Sequence, residues 1–123
     1  MKQAKLEQMT VDDLVERFAE IGVAQDHAEL MGEMGKFNRL FDQMNDVDQE
    51  LRKRGLQARL ALLRLYDHPN MQVRMNAAKS TLGVAPDAAR KVIQAIYDSK
   101  WYPQALDAGM SLRNLDSGVF KPD

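Results

Sequence analysis

The chain contains no cysteine among its 123 residues. That excludes disulfides, thiolate zinc sites and thiol nucleophiles. Histidine is scarce: His27 and His68 are the only two, on different predicted elements and without H-x-x-x-H spacing. A histidine-based metal site is therefore not expected. None of the four serines (Ser80, Ser99, Ser111 and Ser117) lies in a G-x-S-x-G turn. The glycines form neither G-x-G-x-x-G nor a phosphate loop. Asp46-Val-Asp48-Gln-Glu50 lacks the glycine and the terminal glutamate of a calcium loop, so it reads as a solvated helix face. The longest clearly apolar run, Leu60-Ala-Leu-Leu63, is far too short to span a bilayer. The opening Met1-Lys-Gln-Ala-Lys-Leu-Glu-Gln has no apolar stretch of the kind a signal peptide needs. These absences predict a cytoplasmic protein with no catalytic residues, no cofactor and no metal.

What is present is ordinary in bulk and uneven in placement. Apolar residues are 45% and charged residues 28%, the profile of one globular domain. The net charge of −1 argues against a dedicated nucleic-acid binder. Residues 1–55, however, hold 8 Lys/Arg against 12 Asp/Glu, and no glutamate follows Glu50. The polarity fits either a more solvated first half or a surface that orients a partner.

Six segments repeat their apolar residues at helical spacing. Thr10 caps the first, with Asp12 and Asp13 in its first turn and Val11, Leu14, Val15, Phe18 and Ile21 on its stripe. It runs to about Met31. Gly32 and Gly35 weaken the helix there, so a break is placed between two helices; one long kinked helix is the alternative. The second stripe is Phe37, Leu40, Phe41, Met44, Val47 and Leu51. It ends in Arg52-Lys-Arg54 and Gly55, cations in the last turn and glycine after it. Leu56–Tyr66 reads as a third helix, apolar nearly all round and hence buried. Pro69 and Asn70 then end one helix and cap the next, which runs from Met71 to Leu82 with Val73, Ala77, Ala78 and Leu82 inward. Pro86 and Pro103 open the fifth and sixth helices, the sixth reaching about Leu115. Met31, Met34 and Met44 are expected inside, and Trp101-Tyr102 either staples two helices or anchors a partner.

The segments Met71-Gln-Val73 and Pro103-Gln-Ala105 recur at a fixed offset, each opening a helix with small residues in its later turns. Such recurrence marks stacked helix pairs. On Asp67, Pro69-Asn70, Val73-Arg74, Ala77-Ala78 and Leu82-Gly83, the stretch Asp67–Gly83 resembles a HEAT repeat of the short bacterial type. The whole chain resembles an uncharacterised family of small bacterial HEAT-like proteins, a domain of unknown function. The residues that carry this are Leu14-Val-Glu-Arg-Phe-Ala19, Lys36-Phe-Asn-Arg-Leu-Phe-Asp42, Asp67–Ala78 and Phe120-Lys-Pro122. The resemblance implies an all-α fold, a short right-handed α-α superhelix of about six helices in three antiparallel pairs. It assigns no activity. The single domain 1–123 then divides into a divergent first pair at 1–55, the best repeat at 56–83, a degenerate repeat at 86–116 and a tail at 117–123.

The function expected is that of a small non-enzymatic protein-protein interaction module; by analogy, one such class is immunity- or antitoxin-like. Second helices line the inner face of such stacks, which places the partner-binding surface at Gln72, Met75, Asn76, Lys79, Asp107, Met110 and Ser111. The alternative is a nucleic-acid-binding repeat protein using Arg59, Arg64, Arg74, Lys79, Arg90, Lys91 and Lys100 of the basic second half.

Overall fold

Thr10 opens the first long helix as its sequence requires: Oγ1 accepts a hydrogen bond from the Asp13 amide at 3.0 Å, satisfying an otherwise orphaned donor. The computed structural model in which this is seen describes residues 3–123. Met1 and Lys2, part of the opening read for a signal sequence, lie outside the described residues. The helices are α1 (Gln3–Glu7), α2 (Val11–Leu30), α3 (Met34–Lys53), α4 (Leu56–Leu60), α5 (Met71–Thr81), α6 (Pro86–Ser99) and α7 (Gln104–Ser117). A 3-10 segment, Ala61–Leu65, joins α4 to α5, and no strand occurs among the described residues.

Among the described residues, seven helices stand where about six were expected, for two reasons. Leu6 is fully buried in the core, and that burial seats the short α1, whose apolar content is too small to show a period. Arg54 donates to the Leu6 and Glu7 carbonyls and holds it there. The expected helix Leu56–Tyr66 is divided, because the chain tightens to 3-10 geometry at Ala61. The break at Gly32 is real: Gly32 has φ +71°, the left-handed conformation that glycine adopts freely. It ends α2, so residues 11–54 form two helices and not one kinked helix. At the other end, α7 runs on to Ser117, and the tail begins at Gly118.

The helices pack in chain order, α2 on α3, α5 on α6 and α6 on α7, while α2 also crosses α5. Two cores result. Leu14, Phe18, Ile21, Val47, Leu51 and Leu62 fill the first with Val73 and Ala77. Met75, Ala78, Leu82, Ile93, Ile96 and Ala108 fill the second. Helix α5 gives one face to each core, which is why its apolar positions are small and nearly continuous.

Several expectations for the first half are corrected. The first half of α3 is only partly covered: Leu40 packs against the first core, while Phe41 is 44% exposed and Met31 and Met34 are exposed beside the turn; of the three methionines only Met44 is inside. Asp48 and Glu50 are buried, not solvated, because Arg52 and Arg54 one turn later pair with them at 2.9 and 2.8 Å. Lys53 bridges Glu7 and Glu50. The basic triplet is thus spent on holding α1 and the end of α3, and the Arg54 hydrogen bond holds the Glu50 carboxyl below its ordinary range.

Arg74 Nε donates to the His68 carbonyl and ties α5 to the turn before it. Removing this charged, half-buried donor in Arg74→Ala is expected to lower the unfolding free energy by about 1.5 kcal/mol. Arg74→Lys recovers little of it, because an ammonium lacks the fork geometry. Denaturant midpoints measure both. If both variants stay within about 0.5 kcal/mol of the parent, Arg74 is only a surface residue.

Candidate functional site

Asn70 caps α5 by accepting hydrogen bonds from the Gln72 and Val73 amides, at 2.9 and 3.2 Å. From that fixed start, Gln72, Asn76 and Lys79 follow along one side of α5, and they form the floor of a groove. A cavity of about 300 Å3 lies between this floor and α3, lined by Phe41, Met44, Asp48, Asn76, Lys79 and Phe120 among others. A neighbouring one of about 220 Å3 lies between the floor and α7, at Lys79, Leu82, Ser111, Asn114 and Phe120. A third of about 200 Å3 lies towards the start of α5, lined by Glu29, Phe37, Gln72, Pro103, Gln104 and Asp107. The groove therefore has α5 as floor and α3 and α7 as walls. At one end the tail folds over it, held by Arg52 on the Asp123 carboxylate at 2.8 Å and Arg59 on its main-chain oxygen at 3.0 Å.

The sequence-predicted residues divide across this groove. Lys79 and Asp107 meet over it as an ion pair at 3.3 Å, and the Ser111 hydroxyl lies 3.5 Å from the same carboxylate. Met110 is exposed on α7. Met75 is a correction: it has 0% exposure and packs in the second core, because it lies on the side of α5 that meets α6 and α7. Gln72 and Asn76 line the groove but are buried. Trp101 and Tyr102 are both well exposed, so they do not staple helices; Tyr97 does so instead, packed against Gly109.

What the sequence did not disclose is a chain of amides across three helices. Asn76 Nδ2 donates to Gln25 Oε1 at 2.6 Å. Gln72 Nε2 donates to Asn76 Oδ1 at 2.9 Å. Gln104 Nε2 donates to Gln72 Oε1 at 3.0 Å and to Asp26 Oδ1 at 3.2 Å. Asn70 Nδ2 completes it on Asp26 Oδ2. Gln72 and Gln104 are 32 residues apart, the offset at which Met71-Gln-Val73 and Pro103-Gln-Ala105 recur in the sequence, and the two side chains bond to each other. The repeat spacing was the signal that could have revealed the pair. Two atoms of the chain, Gln25 Nε2 and Gln104 Oε1, are buried without a partner.

The basic residues of the second half are mostly engaged within the fold. Arg59 donates to the Ser80 carbonyl, Arg64 pairs with Asp12, and Arg90 pairs with Asp116 at 2.7 Å. Arg74 and Lys79 are committed as described. No helix among the described residues is long and apolar enough to cross a membrane.

The helices that form this groove lie inside a stretch matched by a known family, while the tail residues Phe120 and Asp123 lie beyond it. Residues 12–116 match the family described as a domain of unknown function, DUF2019. The chain belongs to that family. This DUF2019 domain is also similar to a solved structure, the protein RPA1889 from Rhodopseudomonas palustris CGA009. The two are 53% identical, over 96% of this chain and 98% of the other, with a TM-score of 0.93. No curated protein matches. The all-helical DUF2019 fold is thereby established, and the groove is a feature of that fold to be read from its own chemistry.

Proposed function

We propose that the domain is a HEAT-like stack whose inner face binds another protein without catalysing a reaction. The observation that carries this reading is the groove itself: a floor of amides and lysine on α5, with Phe41, Met44 and Phe120 lining it. Mixed amide, aromatic and methionine surface suits adaptable protein contact. A phosphate-binding role is poorly served by cations already paired with Asp12, Asp107 and Asp116. Catalysis would need a positioned base or nucleophile with a reactive partner, and in the groove Asp48 is paired with Arg52 and Asp107 with Lys79.

The test is an exchange of the Lys79–Asp107 pair. In Lys79→Glu with Asp107→Lys the two side chains still attract, so the fold is expected to keep its stability within about 0.5 kcal/mol, as for other exposed pairs. The field presented to a partner is reversed at two points. The full chain, immobilised and exposed to lysate of its native cell, should retain a protein partner, and the exchanged variant should lose at least about tenfold of that capture. Unaltered capture moves the site away from the groove. A captured nucleic acid whose binding falls steeply with salt would establish the alternative function instead.

A further inference from the structure

The tail lies on a seat that is built without it. Gly118 ends α7 in the left-handed conformation, at φ +77°, and Phe120 then lines both cavities that flank Lys79. Three residues on, Asp123 meets two arginines that other bonds already fix. Asp48 accepts from Arg52 Nε at 2.9 Å, which leaves Nη1 for the Asp123 carboxylate. The Ser80 carbonyl accepts from Arg59 Nη2 at 3.2 Å, which leaves Nη1 for the Asp123 main-chain oxygen. Gly83 completes the seat. A Cβ there would stand 2.3 Å from the Asp123 carbonyl carbon, and the three atoms nearest to it all belong to Asp123. Gly83 is not in the left-handed conformation, so its own backbone does not call for glycine; the missing side chain makes room for a second main chain. The hold on the tail is weak by comparison. Residues 119–121 are exposed, and the Asp123 carboxylate is 88% exposed in its pair with Arg52. Exposed ion pairs contribute little, so the tail opens far more readily than the helices beneath it.

We infer that this seat is a receptor for a segment of a protein partner that carries an aromatic residue and, three positions on, a carboxylate, and that the tail is a strap which this segment displaces. The inference rests on the reading of the groove as a protein-binding face and names the segment that enters it. The partner's ring takes the place of Phe120 beside the cavities lined by Phe41, Met44 and Leu82. Its carboxylate accepts from Arg52, its main-chain oxygen accepts from Arg59, and its backbone passes over Gly83. Such charge-assisted bonds from a fixed guanidinium fork are directional. A basic segment is repelled by the same two arginines.

The test supplies the segment in trans to the full chain, labelled with nitrogen-15. Phe120→Ser with Asp123→Lys releases the tail by changing exposed residues only. The probe is a peptide of residues 117–123, acetylated and amidated so that its only carboxylate is that of the aspartate. It should shift the Gly83 amide and the Arg52 and Arg59 Nε–H signals of the released chain saturably, below about millimolar concentration, the level at which a short tether presents its own segment. The parent should bind it at least about tenfold more weakly, because the tethered tail competes. Peptides carrying Asp123→Asn or Phe120→Ala should bind the released chain about fivefold more weakly. Gly83→Ala in the released chain should weaken the unaltered peptide at least about tenfold with no fall in Tm. Equal binding to parent and released chain overturns the inference, and so does a Gly83→Ala variant that binds as before. A parent that sediments as a dimer and becomes a monomer on release of the tail makes a second copy the occupant, and overturns it too. The two readings fail separately. Peptide binding with capture indifferent to the Lys79/Asp107 exchange keeps the seat and removes the groove. Capture lost in the exchange, with no peptide binding to the released chain, keeps the groove and removes the seat.

Discussion

Gly22→Val is expected to lower the unfolding free energy by about 3 kcal/mol, the upper part of the range for overpacking a well-filled site. Gly22 lies where α2 crosses α5. A Cβ at this position would stand 2.8 Å from Val73 Cγ2 and 3.1 Å from Val73 Cα. Valine on a helix has one strongly preferred rotamer, so the methyl cannot swing aside, and the Cα belongs to the α5 backbone. Relief requires α2 and α5 to separate, and that would open the first core and stretch the Asn76–Gln25 bond. Gly22→Ala is expected to be destabilising by about 1 kcal/mol even though alanine favours helix, because the clash exceeds the propensity gain. Gly35 supplies the contrast. A Cβ there meets nothing closer than Arg39 Nη1 at 3.6 Å, so Gly35→Ala should stabilise by up to about 1 kcal/mol. Urea midpoints at unchanged slope measure all three. A Gly22→Val chain as stable as the parent would show that the helices do not cross in this close contact.

The helical architecture was legible because its signals are local. Thr10, Asn70, Pro86 and Gly32 act within one turn of themselves, and the stripes read for α2 and α5 reach the core as their spacing predicts. The first half of α3 misled because periodicity reports which side is apolar, not whether a neighbour covers it. Leu40 reaches the first core, but Phe37 and Phe41 keep the same helical spacing where no helix fully covers them, and they line the groove. Met75 misled for the opposite reason. Placing α5 with one buried side ignored that its other neighbours, α6 and α7, bury a second side. The amide chain was hidden because Gln25, Gln72, Asn76 and Gln104 are ordinary surface residues by type. Their burial depends on three helices converging, and that convergence is not a property of any one segment. Only the recurrence of Gln72 at Gln104 left a trace in the sequence.

That chain makes the other large prediction, centred on Asn76. Asn76→Leu keeps the number and branching of the side chain's heavy atoms and removes both of its hydrogen bonds. Gln25 Oε1 then loses its donor while Gln25 Nε2 already has no acceptor, so the whole buried amide of Gln25 is unsatisfied. Gln72 Nε2 loses its acceptor as well. Two newly orphaned groups at about 1–3 kcal/mol each set an expected loss of about 2–6 kcal/mol. Replacing Gln25 too removes one of the orphans. The double variant Gln25→Met with Asn76→Leu should therefore be more stable than the sum of the single effects by at least about 1 kcal/mol. Strict additivity, within about 0.5 kcal/mol, would mean that the two amides do not act as one unit.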